Sequence, residues 1–213
     1  MRFSFLSGGA LPLDFLNTVS WHIGPNPVDH LETYADLVDW AAQAGLVGEE
    51  TAAALRAQDA PEVLAAAVEL REALFRLIRR KIASAADAEP VRANGGEPVR
   101  PDGGQAGPPP ADTDLEVVNV RLREAFHHLV LSADGWTWDD DGDPGRVLWP
   151  VVRQAAELLA APDAARMSIC QADACGWVFL DPRHRRRWCS MEGCGNRAKA
   201  ARHYERRKRE SFT

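Results

Sequence analysis

The chain's 213 residues suffice for one ordinary domain plus a small module, and with 46% hydrophobic residues it can bury a core. No apolar run is long enough to cross a membrane, and the opening stretch to Gly9 is too short and too soon broken by glycine for a secretory signal, so a membrane protein is excluded and a cytoplasmic one expected. The net charge of -6 hides a division: residues 183–213 carry eleven Lys/Arg against three acids (+8), which leaves 14 bases and 28 acids (-14) in residues 1–182.

Along the chain, Gly8-Gly9 reads as a turn feeding a short helix, with Pro12 in the first turn, where its missing N–H does no harm. Residues 22–30, with Gly24, Pro25 and Pro27, read as a loop. The spacing of Leu31, Tyr34, Leu37, Val38 and Ala41 predicts a helix over 31–44, ended by Gly45. A shorter helix is expected at 49–58. A long one opens at Pro61, where Val63, Ala67, Leu70, Leu74 and Leu77 step by four and three. Residues 87–112 differ in kind: eleven of these 26 are Gly or Pro, which predicts a flexible loop between two packed helices. A further helix is expected over 113–132, then a β-hairpin pairing Trp136–Trp138 with Arg146–Leu148 across an acidic turn, then a helix from Pro150 to about Ala160. The turn superficially looks like a calcium loop, but its glycine comes too early and Pro150 stands where the bidentate Glu should be.

The four cysteines follow the pattern Cys170-x4-Cys175-x13-Cys189-x4-Cys194. Two short-spaced pairs supply the tetrahedral thiolate donors that zinc takes, and in a cytosolic chain paired cysteines favour metal over disulfides. The alternative is four unrelated buried thiols, which leaves the matched pairs unexplained. Residues 166–169 and 177–180 read as strands with the first pair at the turn between them, while the second pair enters a helix over 195–210. That is a treble-clef-like arrangement. Four thiolates fill the coordination shell, so one structural zinc is expected rather than a catalytic one.

Three stretches carry a resemblance: Cys175-Gly-Trp-Val-Phe-Leu-Asp181, Arg185-Arg-Arg-Trp-Cys-Ser-Met191 and Cys194-Gly-Asn-Arg-Ala-Lys199. They resemble the CGNR zinc finger. Gly8-Gly-Ala-Leu-Pro-Leu-Asp-Phe-Leu-Asn-Thr-Val19 resembles the opening of the ABATE domain that usually precedes that finger. The resemblance covers nearly the whole chain outside 87–112. It implies a bacterial stress-response transcription regulator with a zinc-ribbon-like, nucleic-acid-binding C-terminus. The chain departs from the pattern after Asp181, where Pro182-Arg183-His184 replaces a longer loop containing Ser-Arg.

Beyond Cys194, Lys199, Arg202, Arg206 and Arg209 recur at three, four and three residues and line one helix face, with Ala198, Ala201 and Tyr204 expected to face the zinc module. Arg183, Arg185, Arg186 and Arg187 lie on the preceding loop. Guanidinium groups match phosphate with paired hydrogen bonds, so a nucleic acid, DNA rather than RNA, is the expected partner. A solvated basic tail, or a protein-interaction module docking on an acidic protein surface, is the alternative. Asn196 and Arg197 are candidates for a base edge. Asn196 could equally cap the helix, and Arg187 and Arg197 could simply neutralise a four-thiolate site. Trp188 could stack on a base, although a Trp beside a zinc ligand is more often core. In the N-terminal domain, Asp14, Asn17 and Thr18, with His22 nearby, are candidates for binding a small-molecule effector; the alternative is that Asp14 and Asn17 brace a helix end, worth about 1 kcal/mol. No nucleophile–base pair or phosphate loop is evident, and an enzyme is not expected. The reading is mainly α (α+β): a helical domain over 1–165 with a small β-hairpin, and a finger over 166–213.

Overall fold

The computed structural model describes residues 3, 8–88, 112–139, 142–161, 166–183 and 185–210, with the side chains of 86–88 and 209–210 left out. The loop expected at 87–112 therefore lies, apart from its ends, outside the described residues, as do His184 and the Arg209 side chain.

Seven helices and three two-stranded antiparallel sheets are described. Helix α1 (Leu11–Leu16) starts with Pro12 in its first turn and buries Leu13, Phe15 and Leu16 completely or nearly so. Strands β1 (Val19–Ser20) and β2 (Val28–Asp29) form a small ribbon where a plain loop was expected. Helix α2 (Tyr34–Gln43) opens on a capping box. Thr33 Oγ1 accepts from the Asp36 amide at 3.2 Å, and Asp36 Oδ2 accepts from the Thr33 amide at 2.8 Å. Helix α3 (Glu49–Arg56) follows, then α4 (Pro61–Ala88), which buries Ala67, Leu70, Leu74 and Ile78 without exposure. That stripe is the core's spine, and α5 (Asp112–His127) and α6 (Trp149–Ala160) pack beside it. Asp114 clasps α5 to α4 by accepting from Arg76 and Arg80 at 2.7–2.9 Å. Burial pushes the Asp114 carboxyl up, but the two guanidinium groups hold it below the usual carboxylate range. Among the described residues no helix is long and apolar enough to cross a membrane.

One segment corrects the sequence reading. The helix expected to reach Ser132 ends at His127, and Leu129–Ser132 becomes β3 instead. It pairs with β4 (Gly135–Trp138) in register Leu129↔Trp138 to Ser132↔Gly135, so Trp136–Trp138 does not pair with Arg146–Leu148. The overlooked signal is Asp134-Gly135: Ala133-Asp134 joins the strands directly, and Gly135, at φ 115°, opens β4. Residues 144–147 form a 3₁₀ turn opened by Pro144, and Asp143 Oδ1 accepts from the Gly145 amide at 2.6 Å, which rules out a strand there.

The finger is not a separate bead. Strands β5 (Met167–Ile169) and β6 (Val178–Leu180) form its hairpin, and Met167, Ile169 and Val178 belong to the same apolar core as α4 and α6. On the far side of the hairpin, Phe179 is fully buried in a second cluster with the four cysteines. Alternation along β6 thus sends one side chain into each core.

Asp14, 6% exposed, accepts from the Gly8 amide at 3.0 Å, and the Gly8 carbonyl in turn accepts from the Leu180 amide of β6 at 2.8 Å. Burial pushes its carboxyl up to about 6, although the Gly8 hydrogen bond pulls the other way. A carboxyl whose folded pKa lies above its unfolded value binds more protons when folded. Stability therefore falls as pH rises from 3.8 to about 6, and the penalty is complete above that. Asp14→Asn keeps an acceptor for Gly8 without the charge. It should raise the melting temperature at about pH 7.5 and leave it nearly unchanged at about pH 4. Thermal melts at both pH values check this, and an equal shift at both would contradict it.

Candidate metal centre and nucleic-acid face

Residues Cys170–Gly176 form the first knuckle. The Cys170 amide donates to the Trp177 carbonyl at 2.8 Å and the Cys175 amide to Ala172 at 3.1 Å, which closes the loop between β5 and β6. Gly176 follows with φ 73°, and a Cβ there would approach Ile23 and His22 at 3.0–3.1 Å, so glycine lets the knuckle sit against the N-terminal domain. The second pair sits at the entry to a helix as expected, and reaches it through an added turn. Cys194 lies in one π-helical turn, Met191–Gly195, capped by Ser190 Oγ accepting from the Gly193 amide at 3.0 Å, and α7 (Asn196–Glu210) begins only after it. A Cβ on Gly195 would meet the Met191 thioether at 2.8 Å, a contact that the exposed Met191 side chain can relieve by moving.

All four Sγ atoms lie within 4.8 Å of one another, and all four cysteines are buried. Three of the separations are 3.9 Å (Cys175–Cys189), 3.5 Å (Cys189–Cys194) and 3.6 Å (Cys194–Cys175). A tetrahedron with Zn–S bonds of about 2.3 Å has edges of about 3.8 Å. The donor set therefore fits one structural zinc, with no corner left for water. As thiols, Cys175 and Cys189 hold Cys170 far below the usual thiol range by hydrogen bonding to it, and their bonds to Cys170 push both of them up. Zinc replaces that arrangement with four thiolates and a formal charge of about -2.

The charge is answered from the CGNR stretch itself. Arg197 Nη2 donates to Cys194 Sγ at 2.9 Å, and its guanidinium lies 4.3 Å from the ring centroid of Trp21 in the N-terminal domain. The structure thus gives Arg197 a partner at the metal centre rather than placing it alone on the surface. Arg186 likewise works inside the module. Its amide donates to Asp181 Oδ2 at 2.6 Å, its side chain donates to the Cys189 carbonyl, and its guanidinium sits 4.2 Å over the Phe179 ring. Arg187 Nε donates to Gln171 Oε1 at 2.9 Å. Asn196 Nδ2 donates to the Glu192 carbonyl at 3.3 Å. Arg183 and Arg185 are exposed on the loop.

Helix α7 leaves the module after its first turn. Ala198 is half-buried, but Ala201 is exposed and Tyr204 is 71% exposed, so the expectation that all three face the zinc is corrected. The helix has too few apolar side chains to hold it down. Lys199, Arg202 and Arg206 are all exposed on the projecting part. Arg202 Nε bonds its own turn at the Ala198 carbonyl, and Arg206 Nη2 lies 3.4 Å from His203 Nδ1.

The N-terminal candidates are dispersed rather than gathered round one ligand. Asn17, 1% exposed, acts as an extra strand residue. Its Nδ2 donates to the Val178 carbonyl and its Oδ1 accepts from the Val178 amide, both at 2.9 Å. Thr18 Oγ1 donates to the Phe15 carbonyl at 2.7 Å and accepts from Arg71 Nη1 at 3.1 Å. His22 stacks on Phe75 at 3.9 Å and pairs with the Glu72 carboxylate at 3.0 Å. Burial pushes Glu72 up, but His22 and Arg71 hold it below its usual value. Sequence reasoning missed Trp21 and Trp177 as contacts between the two parts. Trp177 lies in the CGNR-like stretch and Trp21 in no motif, but each is placed by a partner more than a hundred residues away.

The family model of the CGNR zinc finger matches residues 166–207, and the ABATE model, described as a putative stress-induced transcription regulator, matches residues 9–162. No curated protein matches the chain. With the larger model spanning most of the chain, and the buried four-cysteine cluster lying within the smaller one, the chain belongs to the ABATE family and ends in a CGNR zinc finger.

Proposed function

We propose that this protein is a transcription regulator that binds nucleic acid, DNA in the first instance, through the basic helix that the zinc centre anchors. The observation that carries the reading is α7. Lys199, Arg202 and Arg206 stand exposed on a helix that projects from the module, and the helix begins two residues after a metal ligand. Zinc here is scaffolding that fixes where the helix starts. The protein is a cytoplasmic binding protein rather than an enzyme. The acidic body is repelled by a polyanion while the basic C-terminal third is drawn to it, which orients the encounter.

Each phosphate neutralised releases counterions, so log affinity falls with log salt by nearly one unit per contact. Changing Arg202 and Arg206 together to Ala should flatten that slope by about two and weaken binding to all sequences alike. Anisotropy titrations at several salt concentrations check this, and an unchanged slope would remove α7 from the interface. A second reading, in which the N-terminal domain senses a metabolite and the finger responds, is favoured by a cleft of about 450 Å³ bordered by Glu62, Arg121, Glu124, His128 and Trp149.

A further inference from the structure

Trp21 lies in the turn between β1 and β2, and its backbone is left-handed, with φ 59°. A bulky residue adopts that conformation only where its surroundings dictate it, and such strain gathers at functional sites. Here the turn is clamped on both sides. The Trp177 indole N–H donates to the Val19 carbonyl at 2.8 Å, and the His22 amide donates to the Cys175 carbonyl at 3.1 Å. Trp21 is 37% exposed and belongs to neither apolar core. The turn instead holds the ring out beside the finger.

Arg197 lies over the ring, and the indole borders a cleft of about 410 Å³ shared with Asp173, Arg187, Trp188 and Arg202. That volume is in the range of small-ligand sites. Arg197 is committed to Cys194, which also lines the cleft, but Arg187 and Arg202 outnumber the Asp173 carboxylate and make it a site for an anion, and two indoles make it a site for a flat ring. Arg187 is aimed by its bond to Gln171, and its guanidinium lies 5.4 Å from the Trp188 ring centroid. We propose that this cleft takes one unpaired nucleotide of a single-stranded nucleic acid, its base stacking on Trp21 in place of the Arg197 guanidinium and its phosphate held by Arg187 and Arg202. The inference rests on the nucleic-acid reading above and narrows it. Bases inside a duplex have no free face to stack, whereas an unpaired base offers one on any sequence. The interface is then bipartite, with the ABATE domain supplying the platform and the finger the charge.

The test uses the zinc-loaded full chain, a labelled single strand of about 12 nucleotides and a blunt duplex of the same sequence. Wild-type protein should prefer the single strand. Trp21→Ala should weaken single-strand binding by about 5- to 150-fold and leave the salt slope unchanged, because the ring carries no charge. Trp21→Phe should recover most of the loss. Trp21→Gly, which is at ease in the left-handed region, removes the ring without adding strain and must show the same loss at matched zinc content. Unchanged single-strand affinity in Trp21→Gly, or a wild-type preference for duplex, overturns this inference and leaves binding through α7 standing. No salt-dependent affinity for either nucleic acid overturns both.

Discussion

Replacing Cys194 by serine should empty the metal site and release the C-terminal module while the helical core survives. Wild-type protein should carry one zinc per chain, because four buried thiols within 4.8 Å of one another offer one tetrahedral site. Serine offers a poor ligand, and Arg197 loses the sulfur it donates to. Apart from the cysteines, the second cluster fully buries only Phe179, too little apolar surface to hold a module of this size. Structural zinc sites are worth about 10–16 kcal/mol of apparent binding energy in isolated fingers, so its loss exceeds what that cluster can replace. The β5–β6 hairpin should stay docked, since Met167, Ile169 and Val178 belong to the main core. Elemental analysis and limited trypsin digestion decide it. Without zinc, cleavage should appear first at Arg183–Arg187 and along α7. Reduced wild-type protein that is metal-free yet equally resistant to trypsin would contradict the account.

Asn17→Ala should cost about 2–4 kcal/mol, several times what a helix-end brace is worth. The amide is nearly inaccessible and satisfies both the N–H and the C=O of Val178 across the boundary between the two family segments. Truncation leaves both groups unpaired in a dry site, at about 1–3 kcal/mol each, partly relieved by relaxation. The midpoint of urea unfolding, with its slope unchanged, measures the loss. A cost near 1 kcal/mol would mean that Asn17 only braces α1 and that Val178 finds other partners.

These two residues mark how far the sequence could be read. The cysteine spacing announced its own geometry because zinc requires short pairs, and the periodic apolar steps of α4 located the core's spine. The β3–β4 hairpin was misplaced because Leu129–Leu131 continues a helical apolar pattern, and only Asp134-Gly135 distinguishes the strand. Asn17 read as a ligand candidate or a helix brace because its partner Val178 lies 161 residues away, and no local pattern reports a contact at that range. Arg197 read either as a base contact or as a counter-charge to the four thiolates, and the structure gives it the sulfur of Cys194. Its bond to Cys194 is local to the finger, whereas its contact with the Trp21 ring depends on a turn in the other domain. Chemistry that is local was legible, and contacts that join the two segments were not.

The central claim is that zinc positions a basic helix for nucleic acid, and the salt dependence of DNA binding with and without metal tests it most directly. Zinc-loaded protein should bind labelled DNA with log affinity falling by about three units per unit of log salt, one for each of Lys199, Arg202 and Arg206. A zinc chelator should abolish most of that affinity, and re-added zinc should restore it. Intact, zinc-loaded protein with no salt-dependent affinity for DNA would contradict the account and leave α7 as a solvated face or a protein-docking arm.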